Sequence, residues 1–102
     1  MDAGGNLKAF SRMDQAWLGS IEISIRKAKT SRYLDMSTAD LAKKAQPGQP
    51  LFGIQSIEPT VIFAGGVPIK TADGQVIGAI GASGSTPDND NSVATAGAGA
   101  VR

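Results

Sequence analysis

Arg26, Lys27, Lys29 and Arg32 form the densest chemically capable cluster in the sequence. Helical spacing sets Arg26 near Lys29 and Lys29 near Arg32, so the group could grip carboxylates through charge-assisted hydrogen bonds. The plain alternative is a solvated helix face. Neither histidine nor cysteine occurs in the 102 residues. Their lack removes thiolate nucleophiles, disulfides, ordinary zinc sites and imidazole proton shuttles. Carboxylates stand at Asp2, Asp14, Glu22, Glu58 and Asp73, but no spacing pairs two of them for acid–base work. Ser83, in Gly81-Ala82-Ser83-Gly84, lacks the spacing of a nucleophile elbow and any base to activate it. Ligand binding is a better expectation than side-chain catalysis.

Two glycine loops invite a phosphate reading. Gly81 to Thr86 leads from an extended segment into a helix entry, where backbone N–H groups can hold an anion. No Gly-Lys-Ser/Thr follows, and Asp88 and Asp90 already supply negative charge, so simple capping is the stronger expectation. Gly65-Gly66 reads as a turn or bulge before it reads as a nucleotide loop. Arg12 and Asp14 flank Met13, and the expectation there is a structural ion pair around a core-filling methionine.

The elements that must position these groups fit one domain spanning residues 1–102. Aromatics are only 5% of the chain, so alanine, valine, isoleucine and glycine must fill the interior. Ten basic residues against nine acidic ones give a net charge of +1, which calls for neither nucleic acid nor an anionic membrane. No run approaches the roughly 20 apolar residues of a membrane span. Met1 to Gly5 lacks the basic region and apolar core of a signal peptide, so a cytoplasmic location is expected.

Asp2-Ala3-Gly4-Gly5-Asn6 is a turn, followed by a predicted strand at Leu7 to Arg12. Ser20 opens the strongest helix, with Ile21, Ile25, Ala28 and Arg32 in register and Ile23 off the stripe. Ser37 to Leu41 starts a short second helix, which Pro47 and Gly48 close off. Strands are predicted at Val61 to Ala64, Val67 to Lys70 and Val76 to Ala82, the last two joined by an Asp73-Gly74 hairpin. Pro68 cannot donate to a ladder, so its strand is expected to lie at an edge or to begin there. Thr86 caps a final helix with Pro87 in its first turn, and Val93, Gly97 and Ala100 are its expected sheet-facing residues.

Taken in order, three early strings (Asp2 to Leu7, Arg12 to Ala16, Ser20 to Ala28) resemble the first half of the GlcG/HbpS family. Gly65 to Ile69, Gly74 to Gly84, and Asp88 with Asp90 resemble its second half. The resemblance implies an α+β, profilin-like fold in which helices flank an antiparallel sheet. It also implies homo-oligomers and, where the family has a common ligand, haem or a related tetrapyrrole. Family members include haem-binding proteins of redox sensing, some of them exported, and the C-terminal domain of a cobalamin adenosyltransferase. Relatives carry about one helix and one strand before the Asp-Ala-Gly-Gly turn, within which this sequence opens. Either the chain is N-terminally short or a neighbouring chain completes the edge, and both expectations predict self-association.

Under that resemblance Arg12, Met13, Arg26, Lys27 and Arg32 are the cofactor-contacting candidates, Lys27 matching the family's Lys-Ala step. Haem iron would find Met13, Met36, Tyr33, lysine or hydroxyl oxygens as ligands. The alternatives are an accessory oligomerisation protein of a metabolic operon with no cofactor, and a minor enzyme acting on haem or a hydroxyacid.

Overall fold

The computed structural model describes residues 1–101 and is an α+β unit. Its elements run α1 (Ser20–Leu34), α2 (Thr38–Lys44), a 3-10 turn (Ile54–Ser56), β1 (Gly66–Lys70), β2 (Val76–Gly81) and α3 (Pro87–Gly99). β1 and β2 form an antiparallel hairpin whose register shifts between Ile69 and Lys70, so the bulge sits there and not at Gly65-Gly66. Gly74 turns the hairpin at a φ of 88°. Its N–H donates to Thr71 O at 2.9 Å, as the Asp-Gly signal predicts.

Ala79 exchanges both backbone hydrogen bonds with Met1, and Asp2 bridges to Gly78, so the first two residues lie along the outer edge of β2. Antiparallel alternation then directs the peptide groups of Gly81 toward that same edge. It also makes Pro68, opposite Ala79, a residue whose missing N–H β2 does not need.

The interior is made of small side chains: Ala28, Leu41, Ala45, Ala64, Ala79 and Ala94 are its buried apolar members. Hydroxyl side chains and the Lys27–Asp90 pair fill the remainder. Thr38 Oγ1 accepts the Gly66 N–H at 2.8 Å, and Thr30 Oγ1 accepts the Val61 N–H at 3.0 Å. Such bonds let polar groups be buried without a desolvation deficit. Close packing follows from the glycines. A Cβ on Gly81 would run into Ser24 O of α1, so the helix and β2 approach backbone to backbone.

Helix boundaries follow the cap chemistry. Ser37 accepts the Asp40 N–H and Thr86 accepts the Asn89 N–H, and Pro87 occupies the first turn of α3. Three expectations are corrected. Leu7 to Arg12 and Val61 to Ala64 are not strands, because neither has a ladder partner among the described residues. Val93 is 63% exposed and Ala100 is exposed; Asp90 and Ala94 are the buried residues of α3, with Gly97 against Ile80. Met13 is 80% exposed and fills no core. Among the described residues, no helix is long and apolar enough to cross a membrane.

Candidate ligand-binding site

The last turn of α1 faces the N-terminal turn, and both are shaped by short-range bonds. Asp2 Oδ1 accepts the N–H groups of Gly4 at 3.0 Å and Asn6 at 2.9 Å. These bonds, the Asn6 N–H foremost, hold the Asp2 carboxyl below its ordinary pKa. Gly5 adopts a φ of +77°, a conformation natural to glycine, and places its α-carbon against the Tyr33 ring. A Cβ there would stand 3.1 Å from Tyr33 Cε1.

Arg32 ties the turn to the helix. Its Nε donates to Ala3 O at 2.7 Å and its Nη1 to Asp35 Oδ1 at 2.6 Å. Asp35, in the left-handed conformation at φ 51°, closes the helix. Around these groups lies an open recess of about 330 Å3 lined by Ala3, Gly4, Gly5, Arg32 and Tyr33. Tyr33 is 61% exposed, and its hydroxyl makes no hydrogen bond among the described residues. The recess therefore offers one partly committed guanidinium and one free phenol beside a bare glycine backbone.

A second hollow, between the Leu7–Phe10 segment, α1 and β2, holds only about 70 Å3. Ligand sites are usually several hundred Å3, so this one suits a water or a methyl group.

The basic cluster does not form one surface. Lys27 is only 2% exposed, and its Nζ donates to Ala82 O at 3.0 Å and to Asp90 Oδ2 at 3.1 Å. Asp90 Oδ1 accepts the Ser85 N–H at 3.0 Å, so the pair fastens α1 to the loop before α3. Arg26 binds Glu22 at 2.9 Å and Glu58 at 3.4 Å, and chiefly the Glu22 carboxylate raises its pKa. Arg12 donates to Ala16 O at 3.3 Å, and the expected pairing with Asp14 does not form. Of the five candidates, only Arg32 lines the larger recess. Sequence reasoning did not bring Tyr33 and the Gly4-Gly5 backbone to Arg32, although the Asp-Ala-Gly-Gly turn was the signal that a chain reversal there needed a surface to rest on. Among the described residues, no three carboxylates converge to hold a metal ion.

Residues 1–99 match the family model described as haem degrading protein HbpS-like. The chain belongs to the HbpS-like family. An uncharacterised 15.0 kDa protein of the dhaT-dhaS intergenic region of Citrobacter freundii is 41% identical to this HbpS-like chain over 96 residues, 92% of the chain and 67% of the relative. The corrinoid adenosyltransferase PduO of Salmonella typhimurium is 34% identical over 95 residues, and the HbpS-like chain spans 28% of its length. A crystal structure of a PduOC–heme complex superposes at a TM-score of 0.89, with 33% identity, over 99% of this chain and 74% of that one. The α+β architecture expected from the resemblance is thus the family's own.

Proposed function

We propose that this HbpS-like chain binds haem or a related tetrapyrrole and does so as a homo-oligomer, with Arg32 holding a carboxylate at the recess. The observation that carries the reading is the recess itself: an arginine fixed in position by Ala3 O and Asp35, its Nη2 without a hydrogen bond among the described residues, beside an exposed aromatic ring. Propionate groups are planar carboxylates of the kind that a guanidinium recognises. The solved haem complex of a relative supports the ligand class. In a chain without histidine or cysteine, Tyr33 is the one residue of the recess with a side-chain oxygen. Bound haem would supply the iron and its redox chemistry, and the protein would supply orientation and charge.

A recess this open takes the edge of a tetrapyrrole and leaves its face to be covered. Leu7, Phe10, Met13, Trp17 and Leu18 are all exposed along one stretch of chain, and a second copy packing there would bury them in the homo-oligomer. Arg26 and Arg12 stay on the outside with partners of their own, and Lys27 contributes by holding α1 in place. The same exposed residues favour the second reading, an oligomerisation protein without a cofactor.

Hemin titration followed at the Soret band separates the two readings. Saturable binding is expected, and Arg32→Gln weakens it by roughly tenfold or more, the worth of one charge-assisted hydrogen bond. Arg32→Lys, which keeps the charge but not the fork, recovers part of the loss. Absence of saturable binding overturns the ligand reading and leaves the oligomerisation reading standing.

A further inference from the structure

We infer that the Tyr33 hydroxyl is the second donor of a carboxylate clamp, holding the carboxylate oxygen that Arg32 does not. The inference rests on the reading that puts a carboxylate on Arg32, and it names the group that takes the other oxygen. A free guanidinium brackets both oxygens of a carboxylate with two parallel N–H groups, pairing Nη2 with Nε or with Nη1. In Arg32 both of those partners already serve another oxygen. Nε donates to Ala3 O at 2.7 Å and Nη1 to Asp35 Oδ1 at 2.6 Å, so neither pair is left wholly to a ligand. Nη2 remains for one oxygen, and the other needs a donor from elsewhere.

The lining of the recess supplies that donor at Tyr33. The Gly4 N–H is bound to Asp2 Oδ1 at 3.0 Å and the Gly5 N–H to Asp2 O at 3.1 Å, so neither turns to a ligand. Among the residues that line the recess, Tyr33 carries the only side-chain donor besides Arg32. Gly5 lies against its ring and holds it from one side, while the residue stays 61% exposed on the other. Asp35 balances the Arg32 charge, so Coulomb attraction alone would hold an incoming carboxylate weakly. A second, directed bond adds what the charge does not. Such a clamp asks only for a carboxylate at its mouth, which the propionate of a tetrapyrrole and a small free acid both present.

The test titrates benzoate and its uncharged isostere benzamide into the full chain and into Tyr33→Phe, followed by the backbone N–H resonances of Gly4, Gly5 and Tyr33. Benzoate is expected to shift them saturably in the parent, and benzamide to leave them in place. Tyr33→Phe keeps the ring against Gly5 and should weaken benzoate roughly tenfold, the worth of a hydrogen bond to a charged group. The lost hydroxyl is exposed and unbonded, so the fold stays intact, which circular dichroism verifies. Hemin titration of the same two proteins at the Soret band separates the two sources of carboxylate and should show the same loss. No saturable benzoate response, benzamide bound as well as benzoate, or benzoate held equally by Tyr33→Phe overturns the clamp, and saturable hemin binding then leaves the haem reading standing. Benzoate binding that depends on Tyr33, in a protein that takes up no hemin, upholds the clamp and overturns the haem reading. Hemin held alike by both proteins, where benzoate tells them apart, upholds the clamp and removes the propionate from it.

Discussion

Lys27 and Asp90 show how a side chain that looks functional can be structural. Helical spacing correctly places Lys27 among basic neighbours, but it says nothing of what lies over that face. The cover comes from far along the chain: Gly65, Gly66 and Asp90 close over Lys27. Breaking a buried pair strands a charge, so Asp90→Asn or Lys27→Met is expected to cost about 3–5 kcal/mol. The double change Lys27→Met with Asp90→Leu should recover much of that loss, because no charge is then left unpaired. Urea unfolding of the three variants measures it. Asp2 gives a prediction of opposite exposure. Its pKa is lowered in the folded state from an ordinary value of 3.8 by the N–H groups of Asn6 and Gly4. The unfolded chain therefore takes up the proton first as acid is added. The stabilisation is full above the ordinary value and is lost as pH falls through the depressed one. Asp2→Asn should flatten the stability curve below about pH 4, at the lower edge of the ordinary carboxylate range. A fall in stability between pH 5 and pH 2 that is as steep in the variant as in the parent would contradict this.

At the scale of elements, local chemistry was readable wherever the cause was itself local. The Ser37 and Thr86 caps, the Pro87 entry and the Asp73-Gly74 turn each depend on a few adjacent residues, and each stands where the sequence puts it. The strands at Leu7–Arg12 and Val61–Ala64 needed partners, and β propensity does not supply a ladder. Likewise the sheet-facing side of α3 was assigned from apolarity, which favours Val93, whereas the buried position went to Asp90 because an ammonium waited there. The two glycines of β2 admit close neighbours: α1 approaches Gly81 and the Met1 backbone approaches Gly78. Gly81→Ala should therefore push α1 away from the sheet at Ser24 and destabilise the fold by about 1–3 kcal/mol, as overpacking does. Gly97→Ala meets only the flexible end of Ile80 and should cost less. Thermal unfolding of the two variants, side by side, tests the ranking.

For the whole molecule the unresolved account is apolar surface. A chain with few aromatics leaves its tryptophan 81% exposed, together with Leu7, Phe10, Met13 and Leu18 on the same stretch. The β2 edge beside that stretch turns the peptide groups of Gly81 outward beyond the bond to Met1. Unsatisfied edge groups and neighbouring apolar side chains are the two ingredients of strand-mediated association. A second copy that covers both would desolvate Trp17, and Trp17 is the only tryptophan in the chain. Its emission should shift to the blue as concentration rises, in step with a growing sedimentation coefficient. Phe10→Glu and Trp17→Phe divide the contributions. The first should weaken association by roughly thirtyfold, the value of a 2 kcal/mol interface anchor. The second retains a ring and should leave sedimentation nearly unchanged while it abolishes the optical signal. A red-emitting tryptophan in a particle that stays monomeric across the whole concentration range would show that the Leu7–Leu18 stretch is tolerated in water. The homo-oligomer of the proposed function would then be overturned.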